Sequence, residues 1–224
     1  MKIRFSEEEF ARLKNLLRIY AWGQQTLLTK LNIMHEDFRH FQDNNPIEHI
    51  KGRIKAPESI AQKLHNKGVA LTAENAKKHL KDIAGVRIIC PFAKDIYQLA
   101  ELLRSMPDVN ILAEKDYVSA PKPSGYRSYH IVMEIPVFYS GKAENVVVEV
   151  QLRTEAMNFW STLEHKARYK YHNHIPQHLC DELVICASKI AELDERMFLI
   201  HEIISLINGE GEVPLPRISA HISH

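Results

Sequence analysis

Cysteine is scarce in this chain, and its pattern excludes two architectures. The 224 residues hold three cysteines, Cys90, Cys180 and Cys186, an odd number with no Cys-x-x-Cys pair. A disulfide framework and a structural zinc site are therefore not expected, and a reducing compartment fits. An excess of one charge is also missing. Twenty-nine Lys and Arg against 28 Asp and Glu leave a formal net charge of +1. That argues against a general polyanion binder while leaving room for a local basic pocket. No apolar run approaches the roughly 18 residues that a membrane span needs. Met1-Lys2-Ile3-Arg4 leads into acidic residues and not into an apolar stretch, so no signal peptide is expected and a cytoplasmic, non-membrane protein is. Internal repeats and low-complexity segments are absent, as is the Gly-x-x-x-x-Gly-Lys-Ser/Thr pattern of a P-loop.

What the chain has is helical rhythm at both ends and strands between. Hydrophobic content of 45% and charged content of 25% suit an ordinary globular domain. From residue 6 to about 42, Phe10, Leu13, Leu17, Tyr20, Gln24, Leu27, Leu31, Met34, Phe38 and Phe41 recur three and four apart, one stripe of a helix. Gly23 and Gln24 interrupt it, which predicts a bend or two helices, and Asn44-Asn45-Pro46 ends it. Leu179, Leu183, Cys186, Ile190, Leu193, Met197, Ile200 and Ile204 make a similar stripe from about 178 to 207. The two stripes suit terminal helices that pack together or against a second subunit. Plain packing into the chain's own core explains them equally well. Between them the spacing predicts a short helix from Pro57 to about Lys67, a strand at Val86–Cys90 and a helix over 94–105. Strands near 110–118, 128–137 and 146–153 follow, then a helix over 154–171. The expected class is α+β, a mixed sheet flanked by helices. The expected division is a helical extension over 1–45, a core over 46–175, a C-terminal helix over 176–208 and a poorly ordered tail over 209–224, with His221 and His224 in the tail.

Four stretches bear chemistry. In Val146–Arg153, alternation puts Val148, Val150 and Leu152 on one face and Glu149, Gln151 and Arg153 with Val147 on the other. Polar groups in such a row need partners if buried, or they line a solvent-facing edge. In Lys81-Asp82-Ile83-Ala84-Gly85-Val86-Arg87, Asp82 sits just before a β-run. Asp82 and a carboxylate on another strand can converge on a divalent ion, since magnesium takes one or two carboxylates plus substrate phosphates. The loop Pro121-Lys122-Pro123-Ser124-Gly125-Tyr126-Arg127 displays two cations and an aromatic ring before His130. A ring can stack on a base while cations hold phosphates, or the charges are simply solvated. Arg53 and Lys55 precede a helix start where Ser59 and free amides can meet an anion, and Lys63 lies one turn on.

In this order and spacing these stretches resemble the synthetase domain of the RelA/SpoT family, above all its stand-alone small alarmone synthetases. The likeness rests on Gly52-Arg53-Ile54-Lys55 with Ser59 and Lys63, Asp82–Arg87, and Lys115-Asp116-Tyr117 with Pro121–His130. It rests also on Glu149–Thr154, Ala156–Trp160 and Glu164-His165-Lys166, within residues 20–207. The resemblance implies a nucleotidyltransferase-like fold. It implies transfer of the β,γ-pyrophosphate of ATP to the 3′-hydroxyl of GDP or GTP, making (p)ppGpp and AMP in the stringent response. Asp82 and Glu149 would hold Mg2+, with Glu149 also the base. Arg53 and Arg87 would sandwich adenine, and Lys55, Ser59 and Lys63 would hold the ATP phosphates. Lys122, Ser124, Tyr126, His130 and Gln151 would form the GDP/GTP side, with Tyr126 stacked on guanine. A homotetramer and an allosteric (p)ppGpp or RNA ligand are further implications.

Some features depart from the family's pattern. Ser124 stands where many relatives carry Asn, and His79-Leu80-Lys81-Asp82 only partly matches the long enzymes, leaving GDP against GTP open. No His-Asp dipeptide occurs, so synthesis without hydrolysis is expected, and control by a long C-terminal regulatory region is not. Two alternatives stand beside this reading. One is the same chemistry on an adenosine nucleotide or a tRNA 3′ end. The other is a non-catalytic relative that binds nucleotides or RNA.

Overall fold

The computed structural model describes residues 3–41, 45–170 and 175–209. In chain order the elements are α1 (Glu7–Phe41), β1 (His49–Ile54), α2 (Pro57–Asn66), α3 (Ala73–His79), β2 (Ala84–Cys90) and α4 (Ala93–Arg104). There follow β3 (Asn110–Asp116), β4 (Tyr129–Tyr139), β5 (Lys142–Thr154), α5 (Glu155–Lys170) and α6 (Gln177–Gly209). The strands form one sheet in the order β1-β2-β5-β4-β3. Only β2 and β5 run parallel; the other pairs are antiparallel. The α+β expectation, a mixed sheet flanked by helices, matches this arrangement.

Alternation decides which face of the sheet is buried. Val146, Val148, Val150 and Leu152 of β5 stand beside Ile131, Met133 and Ile135 of β4 and Val86 and Ile88 of β2, all nearly inaccessible. Leu13, Tyr20, Leu27 and Leu31 of α1 and Ile96, Leu99 and Leu103 of α4 close over that apolar face. Area removed from water at about 25 cal/mol per Å2 is the main stabilising force here. The opposite face carries the polar members of the same strands. α5 leaves β5 and turns over it, and α6 packs on α5.

Several expectations need correction. α1 is one helix of 35 residues, not two. Gly23 serves close approach instead: a Cβ there would stand 2.6 Å from Val146 Cγ1. Gln24 beside it donates from Nε2 to the Gly85 carbonyl at 2.7 Å, tying α1 to β2. Phe41, the last member of the stripe, is exposed. The stretch before α2 is strand β1, and α3 was not anticipated. Leu193, Met197, Ile200 and Ile204 of α6 are exposed rather than buried against α1. α1 ends at Phe41, and Asn45 and Pro46 of the expected terminator stand outside any helix. Asn44 and the tail from 210 onward, with His221 and His224, lie outside the described residues, while Gly209 still belongs to α6.

Gly23→Ala will lower stability, although alanine favours an isolated helix by about 1 kcal/mol. Val146 stands on a central strand and cannot give way, so overpacking at about 1–3 kcal/mol wins. Denaturant unfolding checks this. A variant as stable as the parent would show that α1 can lift from the sheet without cost.

Candidate active site

Cross-strand register assembles the polar face. Lys51, Arg87, Gln151, His130 and Lys115 occupy one row across all five strands. Arg53, Gly85 and Glu149 occupy the next. Gly85 thus leaves a gap between a guanidinium and a carboxylate. Lys51, Arg53, Lys55, Asp82, Gly85, Arg87, Glu149 and Gln151 border one cavity of about 270 Å3.

Ion pairing organises its floor. Lys55 is paired with Asp82, and Lys63 reaches the same oxygen at 2.5 Å. Burial pushes the Asp82 carboxyl up, but the two ammonium groups outweigh it and hold it below the usual value. Burial, opposed by Asp82, lowers Lys55. Lys63 is lowered by burial but raised more by Asp82, so it stays firmly protonated. Glu149 follows the logic of Asp82. Burial raises it, yet His130 Nδ1 at 3.3 Å and Gln151 Nε2 at 2.8 Å hold it ionised, against the nearby charge of Asp82. Among the described residues no cluster of three or more metal-ligating side chains occurs. The pair Asp82 and Glu149 is therefore what this cavity offers a cation.

Arg87 is anchored by donating from Nη1 to Asn158 Oδ1 at 3.1 Å. Its Nε is buried and lacks a hydrogen-bond partner among the described residues. Burial, Arg153 and Arg53 all disfavour its charge, so an electron-rich ligand between the two cavity-lining guanidiniums would relieve it.

Not every anticipated residue joins this cavity. His130 and Gln151 contact Glu149, and Tyr126 Oη meets His130 Nε2 at 2.8 Å. Lys122 Nζ lies 4.6 Å from the Tyr117 ring centre and 4.8 Å from that of Tyr126. Ser59 is half-buried in the first turn of α2 and does not border the cavity. Ser124 borders a different recess, beside Glu164 and Cys180. Arg127 is not displayed. It turns back to donate to the Val118 carbonyl at 2.8 Å. Gly125, at φ +86°, packs so closely on α6 that a Cβ would stand 2.5 Å from Ala187 Cβ. Lys51, Arg153 and Asn158 were not singled out as site residues. Alternation within His49-Ile50-Lys51-Gly52-Arg53-Ile54 puts Lys51 and Arg53 on one face, a signal visible once β1 is read as a strand.

A larger cavity of about 480 Å3 lies between α4, α5 and α6, beside Arg127, Trp160 and Asp194. Asp194 there accepts a hydrogen bond from Thr154 and is raised by burial. Lys94, Glu192 and Glu195 line this cavity as well. The smaller cavity, which Glu149 also borders and where two lysines converge on the Asp82 carboxylate, is the better candidate for chemistry.

Residues 52–174 match the family described as the region found in RelA / SpoT proteins. The chain belongs to the RelA/SpoT family. The matched region runs from β1 past α5, so it holds the sheet and the polar face. Within the family, the chain is 45% identical over 184 residues to GTP pyrophosphokinase YwaC of Bacillus subtilis, covering 82% of this chain and 88% of that protein. It is 36% identical over 178 residues to GTP pyrophosphokinase YjbM of the same organism, covering 80% and 83%. The fold superposes on the small alarmone synthetase 1 from Bacillus subtilis bound to its product pppGpp. There the TM-score is 0.82 at 34% identity, over 87% of this chain and 99% of that one. Small alarmone synthetase 2 from Bacillus subtilis superposes with a TM-score of 0.77 at 43% identity, over 85% and 98%.

Proposed function

We propose that this chain is a GTP diphosphokinase that transfers the β,γ-pyrophosphate of ATP to the 3′-hydroxyl of GDP or GTP. The observation that carries this is the ionised Asp82 and Glu149 sharing one cavity with Arg53, Arg87 and Lys55, in a chain so similar to named GTP pyrophosphokinases.

Each residue has a physical role in that reaction. Adenine lies between the guanidiniums of Arg53 and Arg87, which repel each other and gain from a π-system between them. The ATP phosphates compete with Asp82 for Lys55 and Lys63, while Ser59 and the first turn of α2 face the same anion. Asp82 and Glu149 hold Mg2+, which offsets charge on the transferring phosphoryl oxygens when bound. Two carboxylates completed by phosphate oxygens suit that ion. On the acceptor side Tyr126 stacks on guanine, and Lys122 neutralises phosphate. Glu149 accepts the proton of the 3′-hydroxyl as its oxygen bonds to the β-phosphorus. The bond between that phosphorus and the α-phosphate oxygen breaks, and AMP leaves. The exposed apolar side of α6 supports self-association, for which a homotetramer is the proposed form. The free thiols and the lack, among the described residues, of a helix fit to cross a membrane support a cytoplasmic setting.

Incubation with γ-labelled ATP, magnesium and GDP, GTP, ATP alone or tRNA tests the reaction. Labelled guanosine tetra- or pentaphosphate with matching AMP is expected. Label on tRNA or adenosine would replace the acceptor, and no transfer would leave a nucleotide-binding relative. Tyr126→Ala is expected to raise the acceptor's KM far more than that of ATP, since a stacked base contributes about 1–3 kcal/mol. Equal effects on both would remove Tyr126 as the guanine platform.

A further inference from the structure

Arg153 was expected only as one more polar residue on β5. It is 3% exposed, and its recorded acceptors among the described residues are all neutral. Nη1 donates to Ser161 Oγ at 2.9 Å and Nε to Ser128 Oγ at 3.3 Å. Nη2 donates to Tyr126 Oη at 2.6 Å and to Gln151 Oε1 at 2.8 Å. Burying a guanidinium against uncharged partners is costly, which calls for a role beyond packing.

The directions of these bonds supply one. A guanidinium has donors only. Gln151 must therefore turn its carbonyl oxygen to Arg153, which leaves its Nε2–H for Glu149 Oε2 at 2.8 Å. Tyr126 Oη accepts from Arg153 and lies 2.8 Å from His130 Nε2, so with its oxygen engaged by the guanidinium the hydroxyl is placed to turn its own proton to that ring nitrogen. His130 then carries its own proton on Nδ1, facing Glu149 Oε1 at 3.3 Å. Both branches begin at one guanidinium nitrogen and end on the two oxygens of one carboxylate.

We propose that Arg153 is a positioning residue for the transfer reaction: it sets the hydrogen-bond polarity that makes Gln151 and His130 both donate to Glu149. The inference rests on the functional reading above, but its first test does not. The ring 15N shifts of His130 in the ligand-free protein at one fixed pH should show Nδ1 protonated and Nε2 bare. Arg153→Met, which keeps an unbranched chain without donors, should yield a mixture of tautomers. Tyr126→Phe, which leaves Arg153 in place but removes the linking hydroxyl, should yield the same mixture. An Nε2-protonated ring in the parent, or a tautomer unmoved by Tyr126→Phe, overturns the proposal even if Arg153→Met fails to fold.

Kinetics supply the second test. Arg153→Met should lower kcat by about 10- to 100-fold, the usual range for a supporting shell, with the KM of ATP within about twofold of the parent. Arg153→Lys keeps the charge but not the fork, and should recover little. Adding Gln151→Leu to Arg153→Met should cost less than the product of the single effects, because both break one branch. Fully multiplicative losses, or a folded Arg153→Met with parental kcat, overturn the positioning role. A parent without pyrophosphate transfer but with the Nδ1 tautomer intact would sink the enzymatic reading and leave the hydrogen-bond polarity standing.

Discussion

Glu149→Gln is expected to abolish pyrophosphate transfer and to leave the fold intact. The side chain stands mid-strand on β5, half-buried, on the polar face of a strand whose other face is the core. Gln keeps the shape and one oxygen, so either His130 or Gln151 retains an acceptor. It loses the negative charge and cannot take a proton. Loss of a positioned base alone costs about 10^2- to 10^4-fold, and loss of a cation ligand adds to it. Circular dichroism and a thermal melt should match the parent closely. Turnover above about one-tenth of the parent, far short of the loss general-base removal brings, would take Glu149 out of the mechanism.

Asp82→Asn should separate binding from chemistry. Asp82 holds both Lys55 and Lys63, the same cations proposed for the ATP phosphates. Removing its charge takes a competitor away from them. Without magnesium, in a chelator, ATP should bind the variant more tightly. One charge about 10 Å away at an effective dielectric constant of about 20 contributes on the order of 1–2 kcal/mol, or about 5- to 30-fold. With magnesium, transfer should be lost, because the cation keeps one carboxylate of two. Calorimetry in both conditions and a turnover assay check this. Weaker ATP binding in the chelator would show that Asp82 shapes the nucleotide site rather than opposing the nucleotide's charge.

The same residue sets a pH dependence with a definite sign. Its carboxyl lies below the ordinary value in the folded chain, because the two lysines outweigh burial. The stability this contributes is fully present above the ordinary aspartate range and is lost as pH falls through the folded value. The gap in thermal midpoint between parent and Asp82→Asn should therefore close on acidification. A gap that widens in acid would show that the lysines do not stabilise the folded carboxylate.

Much of this molecule was legible in the residue order. The alternation over Val146–Arg153 alone placed Glu149 and Gln151 opposite the core, because a strand's side chains must alternate. The stripe in α1 identified Leu13, Tyr20, Leu27 and Leu31 as buried, because helical spacing puts them on one side. The order of the motifs also identified the family. Other features depended on what each face meets. Strand β1 was not read as a strand, only as a basic stretch before a helix start, since an edge strand with Lys51, Gly52 and Arg53 carries little apolar signal. Gly23 looked like a helix break until Val146 was found against it. Arg127 and Ser124 follow Lys122 closely, yet face away from Glu149 because the loop is pinned to Val118 and α6. Arg153 shares a strand face with Glu149, and periodicity could say no more of it. Only the register of β4 against β5, with the return of the loop carrying Tyr126, surrounds its guanidinium with acceptors. Sequence alternation determines the face on which a side chain stands, whereas the partners across that face, and hence the direction of every hydrogen bond, come from segments distant in the chain.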